Sequence, residues 1–174
     1  MKWLKKAFAW LTKPSLVIGR PEDPYLLRWH LIPRNRFIGV HLHKFLRDDE
    51  DRALHDHPWW FISFLFKGRY DEIISDDGTK AIYRNAPSIV FRAAEHRHRV
   101  VLPIIITDIE FKHDENGIGE IASTTETRQP AWTLVITGPR VREWGFWCPK
   151  GFVPWDKFLA KGDYGGNTGR GCGE

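Results

Sequence analysis

Residues 55–72 read HDHPWWFISFLFKGRYDE. The apolar run from Trp59 to Phe66 is strand-sized, Gly68 stands where a tight turn needs a residue that tolerates positive φ, and Tyr70 to Ile74 provides a returning strand. Immediately before this hairpin, His55 and His57 are one residue apart. Side chains alternate across a strand, so on extended backbone both imidazoles leave from one face, which is chelating geometry. One such pair is weak on its own, because polar strand ends are commonly solvated and a metal site needs a further ligand from elsewhere in the chain.

Working outward, the chain after Pro24 reads as short β-rich runs: 25–32, 37–46, 59–66, 70–74, 81–84, 88–92, 98–102, 104–111, 132–137 and 141–147. Ten short strands punctuated by turns, such as SDDGTK around Gly78, predict an all-β sandwich or barrel. The polar stretch 113–130 has no periodicity and reads as a long loop. Trp3, Leu4, Ala7, Phe8, Trp10 and Leu11 recur at helical spacing before Pro14, predicting a short amphipathic N-terminal helix over 1–13 that packs on its own domain. A second short helix is expected from Pro154 to Lys161. The expectation is one domain over 1–161, followed by a mobile tail at 162–174, where six glycines among the last fourteen residues cannot build a core.

Composition narrows the classes. With 174 residues and 42% hydrophobic content the chain can bury one sizeable core. No apolar run approaches the roughly 20 residues that span a bilayer, so no transmembrane segment is expected. The opening MKWLKKAFAWLTKP lacks a small-residue cleavage pattern, so a cytoplasmic location is expected. Cys148 and Cys172 form neither a disulfide framework nor a zinc spacing, so a bound metal must come through histidine and oxygen. Net charge +4 is too mild an excess to signal nucleic acid. The expected partner is a small-molecule substrate, and a homodimer is an open option.

Six of the eight histidines fall in H-x-H pairs: His41 with His43, His55 with His57, and His96 with His98. The segment 86–102, APSIVFRAAEHRHRVVL, carries the last pair between two strand-like runs. Together with 55–72 it resembles the two motifs of the cupin superfamily of double-sheet jelly rolls. The first motif in that family is H-x-H followed by apolar residues, a glycine turn and the second strand of a hairpin. The second motif is a hydrophobic strand, a bend and a histidine opening the next strand, which here aligns Ala93 and Ala94 with the bend and His98 with the histidine. The resemblance implies a double-stranded β-helix with a metal on His55, His57 and His98, and His96 as the alternative third ligand. Where the family pattern has a glutamate shortly after the second histidine, this chain has Trp60, Phe61 and Ile62. The implied site is therefore a three-histidine facial set with open positions, and Fe(II) is the leading metal, ahead of zinc or nickel.

Other candidates are read from position and chemistry. His41 and His43 alternate with Val40 and Leu42 and so face away from them, as partners of the site or as surface groups. Asp48, Asp49, Glu50 and Asp51 are candidates to orient a ligating imidazole. Glu95, beside the second motif, is a candidate general base or late metal ligand, and Tyr70 and Tyr83 are candidate acids. Arg140 and Arg142, after the turn at Gly138, are candidate clamps for an anionic substrate group. Trp132, Trp144, Trp147 and Trp155 read as core or interface rather than a substrate box.

Three function classes follow. The first is a metal-dependent dioxygenase of a small anionic organic substrate. The second is a non-redox cupin that binds or isomerises a sugar-like or nucleotide-linked ligand. The third is an accessory binding protein; the Trp-Gly-Phe-Trp pattern at 144–147 is similar to that of small bacterial and phage cupins of unassigned function.

Overall fold

Along Ala131–Thr137 every second residue is buried and the intervening ones are half-buried, the pattern of a central strand with one face turned to a core. The structure, a computed structural model, describes residues 13–20, 22–49, 53–113, 119–159 and 171–173. The expected N-terminal helix lies outside the described residues, apart from Lys13. In chain order the strands are β1 (Leu16–Arg20), β2 (Asp23–His30), β3 (Gly39–Phe45), β4 (Leu54–His55), β5 (Phe61–Lys67), β6 (Arg69–Ile73), β7 (Ala81–Asn85), β8 (Ser88–Arg92), β9 (Arg99–Val101), β10 (Ile104–His113), β11 (Gly119–Arg128), β12 (Ala131–Thr137), β13 (Gly145–Cys148) and β14 (Gly151–Pro154), followed by the one-turn helix α1 (Trp155–Phe158). No helix among the described residues is long and apolar enough to cross a membrane.

The strands pair antiparallel into a six-stranded sheet of order β1-β2-β3-β12-β5-β8, two three-stranded sheets of orders β7-β6-β9 and β14-β13-β4, and a β10-β11 ribbon. The inward face of the six-stranded sheet carries Phe45, Phe61, Leu65, Ala131 and Val135. It looks across a cavity of about 350 Å³ at Tyr70 and Val100 of one small sheet and Phe146 of the other. One apolar cluster joins Leu26, Phe45, Leu65, Tyr70 and Leu102, and a second joins Ala53, Phe146, Phe158 and Leu159. The cavity is walled by members of both. At the β5-β6 hairpin Gly68 has φ of +84°, and a Cβ there would lie 2.6 Å from the Pro130 carbonyl oxygen, so both the turn and the close approach exclude a side chain.

Three expectations need correction. The polar stretch at 113–130 is mostly strand: Gly119–Arg128 pairs along β10. The described side chains of this ribbon are mostly exposed, with Ile104, Ile106, Ile109, Phe111 and Ile121 all open to solvent. A strand with no buried face has no reason to alternate, so the period-two signal is missing. The expected C-terminal helix is a single turn, Trp155–Phe158, because the backbone leaves the helical region at Leu159, where φ is -90° and ψ 148°. Finally, Cys148 and Cys172 are bonded to each other, and the Gly171 N–H donates to the Phe158 carbonyl, so the end of the glycine-rich segment is tied to the body. A bridge across 24 residues restricts the unfolded chain by about 3 kcal/mol on the chain-entropy account. Cys148→Ser should therefore lower the urea midpoint of unfolding relative to the oxidised protein, and thiol titration of the denatured wild type should find no free cysteine.

Candidate metal centre

His55 is held from both sides. Phe146 of β13 is its antiparallel neighbour on one flank, and on the other His55 and His98 exchange both backbone hydrogen bonds at 3.0 Å. The His57 N–H donates to the Ala94 carbonyl at 3.0 Å, which fixes the second histidine of the pair against the bend that leads to His98. Between them, Asp56 points the other way. Its carboxylate is 1% exposed and accepts from the Gly145 N–H at 2.9 Å, the Trp147 indole N–H at 3.0 Å and Arg142 at 2.6 Å. The H-D-H alternation thus uses its outer residue as a clamp onto β13 and its inner residues to face the cavity.

The ligand-capable nitrogens of His55, His57 and His98 lie within 4.8 Å of one another. His98 Nδ1 is 2.9 Å from Glu72 Oε1, so its proton sits on Nδ1 and its Nε2 lone pair points into the cavity. His55 Nδ1 is 2.9 Å from Asp49 Oδ2, an ion-pair distance without the alignment of a full hydrogen bond, and this again directs Nε2 inward. Metal-ligating imidazoles are typically backed by carboxylates in this way. Two metal–nitrogen bonds of about 2.1 Å meeting at a right angle would place their nitrogens about 3.0 Å apart. His57 Nε2 and His98 Nε2 are 2.9 Å apart. The donor set fits a divalent transition metal.

Electrostatics favour neutral imidazoles at two of the three positions. Burial, reinforced by the neighbouring histidines, holds His57 well below its ordinary value, and burial also lowers His98 against the pull of Glu72. At His55 burial lowers the value, but the charge of Asp49, its hydrogen-bonding contact and the charge of Asp56 together outweigh it, and the value rises. Glu72 is 2% exposed; burial alone would raise its pKa, but hydrogen bonds from His96, His98 and Arg92 hold it far below the carboxylate range.

His96 turns its Nε2 to Glu72 Oε1 at 2.9 Å and does not line the cavity. It forms a separate Glu72-His96-His98 group, but Arg84 and Arg92 already occupy that carboxylate, and a cation there would meet two guanidiniums.

The remaining candidates fall elsewhere. Glu95 is exposed in the turn before His96, and Tyr83 is 75% exposed, so neither reaches the cavity. Tyr70 does: it is buried in the cavity wall, and burial first, then the charge of Glu72, pushes its phenol up to about 12. Arg140 is spent on Glu143 at the surface and Arg142 on Asp56, and neither lines the cavity. Both follow a turn whose strand begins only at Gly145, so their side chains serve the loop. His41 and His43 face inward as their alternation requires, and both line the cavity. The residues that sequence reasoning did not single out are Glu72, Asp56 and Arg28. Each comes from a segment whose local pattern is that of an ordinary strand, and only pairing across the sheets brings it to the site.

A six-stranded antiparallel sheet faces two three-stranded sheets, joined by the His55–His98 bridge, across a histidine-lined cavity, and this makes a double-stranded β-helix. The fold is that of the cupins. No protein-family model and no curated protein matches the chain. Solved structures of similar shape include a double-stranded β-helix protein from Klebsiella pneumoniae, 12% identical with a TM-score of 0.46, covering 74% of this chain and 89% of that one. A putative mannose-6-phosphate isomerase from Ralstonia eutropha is 13% identical with a TM-score of 0.45, over 72% of this chain and 92% of the other. A cupin superfamily protein from Desulfitobacterium hafniense is 11% identical with a TM-score of 0.41, over 72% and 85%. These likenesses are of shape.

Proposed function

We propose that the protein is a metal-dependent cupin enzyme in which His55, His57 and His98 hold a divalent transition metal, Fe(II) in preference to zinc or nickel, and that it acts as a dioxygenase on a small anionic organic substrate. The observation that carries this reading is the convergence of three imidazoles on one cavity, two of them backed by carboxylates whose side chains are 10% and 2% exposed. An iron(II) ion there would supply redox chemistry with dioxygen at open coordination positions. The chain's own residues do the rest. Asp49 and Glu72 set the direction of His55 and His98. Phe61, Trp59, Trp144 and Phe146 wall the cavity with apolar surface that excludes water. Tyr70 keeps its phenolic proton at neutral pH and can donate it in a hydrogen bond to a polar group of a substrate in the cavity. Three imidazole ligands, with no carboxylate among them, would leave the dication's charge uncancelled by first contacts, which favours an anionic substrate.

Protein purified without an affinity tag is expected to carry about one iron per chain, in line with one three-ligand site, and to consume dioxygen with a subset of thiolate or phenolate substrates. Equal ligand affinity of the metal-free and metal-loaded proteins, together with no dioxygen uptake, would replace the oxygenase reading by that of a non-redox binding protein.

A further inference from the structure

Arg28 on β2 turns its side chain into the same cavity as the three histidines. Its Nε–H donates to His43 Nε2 at 2.8 Å. That is an uncharged partner: burial first, and then Arg28 itself, holds the His43 ring well below its ordinary value. A guanidinium has five N–H donors, and with Nε engaged the two terminal nitrogens remain as a planar fork. Among the described residues this fork meets no carboxylate at ion-pair distance. The cavity wall contains one acidic residue, Asp49, which stands against His55. Arg28 remains cationic at neutral pH, although burial lowers it to about 10. Arg28 and His57 line the same cavity.

A half-buried cation without a counter-charge loses part of its hydration, and a neutral imidazole partner does not offset that loss. The polar groups around it are also arranged to keep it that way. His41 stacks on His43 at 5.9 Å and is itself lowered to about 4 by burial and by Arg28, so the neighbouring rings are neutral and add no second positive charge. The remainder of the wall is mostly apolar and aromatic. We propose that Arg28 is the anchor of a substrate carboxylate: its fork receives the acid group of a small organic acid, whose body lies among the aromatic side chains and whose other end faces His55, His57 and His98. This assigns the anionic group to Arg28 rather than to Arg140 or Arg142, and it deepens the reading given under Proposed function, on which its placement opposite a metal rests.

The test uses the full-length protein in metal-loaded and metal-free forms, titrated calorimetrically with benzoate and 3-phenylpropionate and with the corresponding neutral amides. Wild type should bind the acids and discriminate against the amides. Arg28→Met should weaken the acids by roughly ten- to a hundredfold, the loss expected for a charge-assisted pair, and leave the amides unchanged. Arg28→Lys should retain part of the affinity, since it keeps the charge and loses the fork. Metal content should not change, and the melting temperature of Arg28→Met should stay level or rise, because a half-buried charge without a counter-charge has been removed. A merely structural Arg28 would give the opposite pattern, a lower melting temperature and unaltered acid binding, and that result overturns the proposal. So does a wild type that shows no preference for acid over amide. The two readings fail separately. Arg28-dependent acid binding in a chain that takes up no metal preserves the anchor and removes the oxygenase, whereas stoichiometric metal with acid binding indifferent to Arg28→Met removes the anchor alone.

Discussion

His55→Ala, His57→Ala and His98→Ala should each abolish stoichiometric metal retention while the protein stays folded, and His96→Ala should retain the metal. The three residues direct their nitrogens to one point, and each loss leaves two ligands where a facial set needs three. The fold does not depend on them in the way a closed structural zinc site would, because the strands that carry them are fixed by backbone pairing. His55 is paired with Phe146 and with His98, and His57 is bonded through its N–H to Ala94. None of those bonds involves an imidazole. His96 differs because its ring nitrogen is used on Glu72, outside the cavity group. Elemental analysis after gel filtration, with circular dichroism as the control for folding, reads the outcome. Full occupancy in any of the first three variants ends the three-histidine assignment. Loss in His96→Ala with retention in His55→Ala and His57→Ala would move the metal to the Glu72-His96-His98 group.

The way these residues assemble explains what was readable from the chain. H-x-H is a local pattern, and alternation on a strand is enough to send His55 and His57 to one face while Asp56 goes to the other. His98 follows from the resemblance of 86–102 to a cupin motif, and the structure brings it beside the pair through a bridge between residues 43 apart. Hairpins around Gly68 and Gly78 are legible because positive φ narrows the choice of residue, and both glycines have it. Nothing local distinguishes Glu72 from Asp71, or Asp49 from Asp48. Asp48 ends on the Leu102 N–H and on Arg128, and Asp49 on His55. That division depends on sheet pairing across some fifty residues. Arg28 is similarly silent in sequence: a lone arginine on an amphipathic strand is ordinarily a solvated group, and only the facing sheet reveals that its side of β2 is interior. The ribbon at 104–128 was half legible for the converse reason. Ile104 to Phe111 is rich in β-branched residues, whereas its partner is polar because no core faces it.

Glu72→Ala should be the most destabilising single change near the site, and it should weaken the metal as well. The carboxylate accepts from His96 and His98 at 2.9 Å and from the Arg92 Nε–H at 2.9 Å, and its second oxygen takes Arg92 Nη2 at 2.5 Å and Arg84 at 3.3 Å. Removing it strands two guanidiniums whose side chains are 14% and 19% exposed. Breaking a buried pair from one side costs 3 to 5 kcal/mol, and because both arginines keep some contact with water the lower end applies, about 3 kcal/mol. For a chain of this size that corresponds to a fall in melting temperature of roughly 6 to 12 °C. The effect on the metal follows from the same bond. Without Glu72 the proton of His98 is no longer fixed on Nδ1, and the ring loses the carboxylate that orients it and raises its basicity. Metal affinity should drop about 10- to 100-fold with all three histidines still present. Glu72→Gln separates the two effects: its amide oxygen can still accept from His98 and preserve the tautomer, but it carries no charge for Arg84 and Arg92. It should therefore lose stability while keeping more of the metal affinity than Glu72→Ala does. Calorimetric melting of the metal-free proteins and metal competition against a chelator measure the two quantities independently. If Glu72→Gln matches wild type in both, the carboxylate neither holds the arginines nor sets His98, and the account of this side of the site fails.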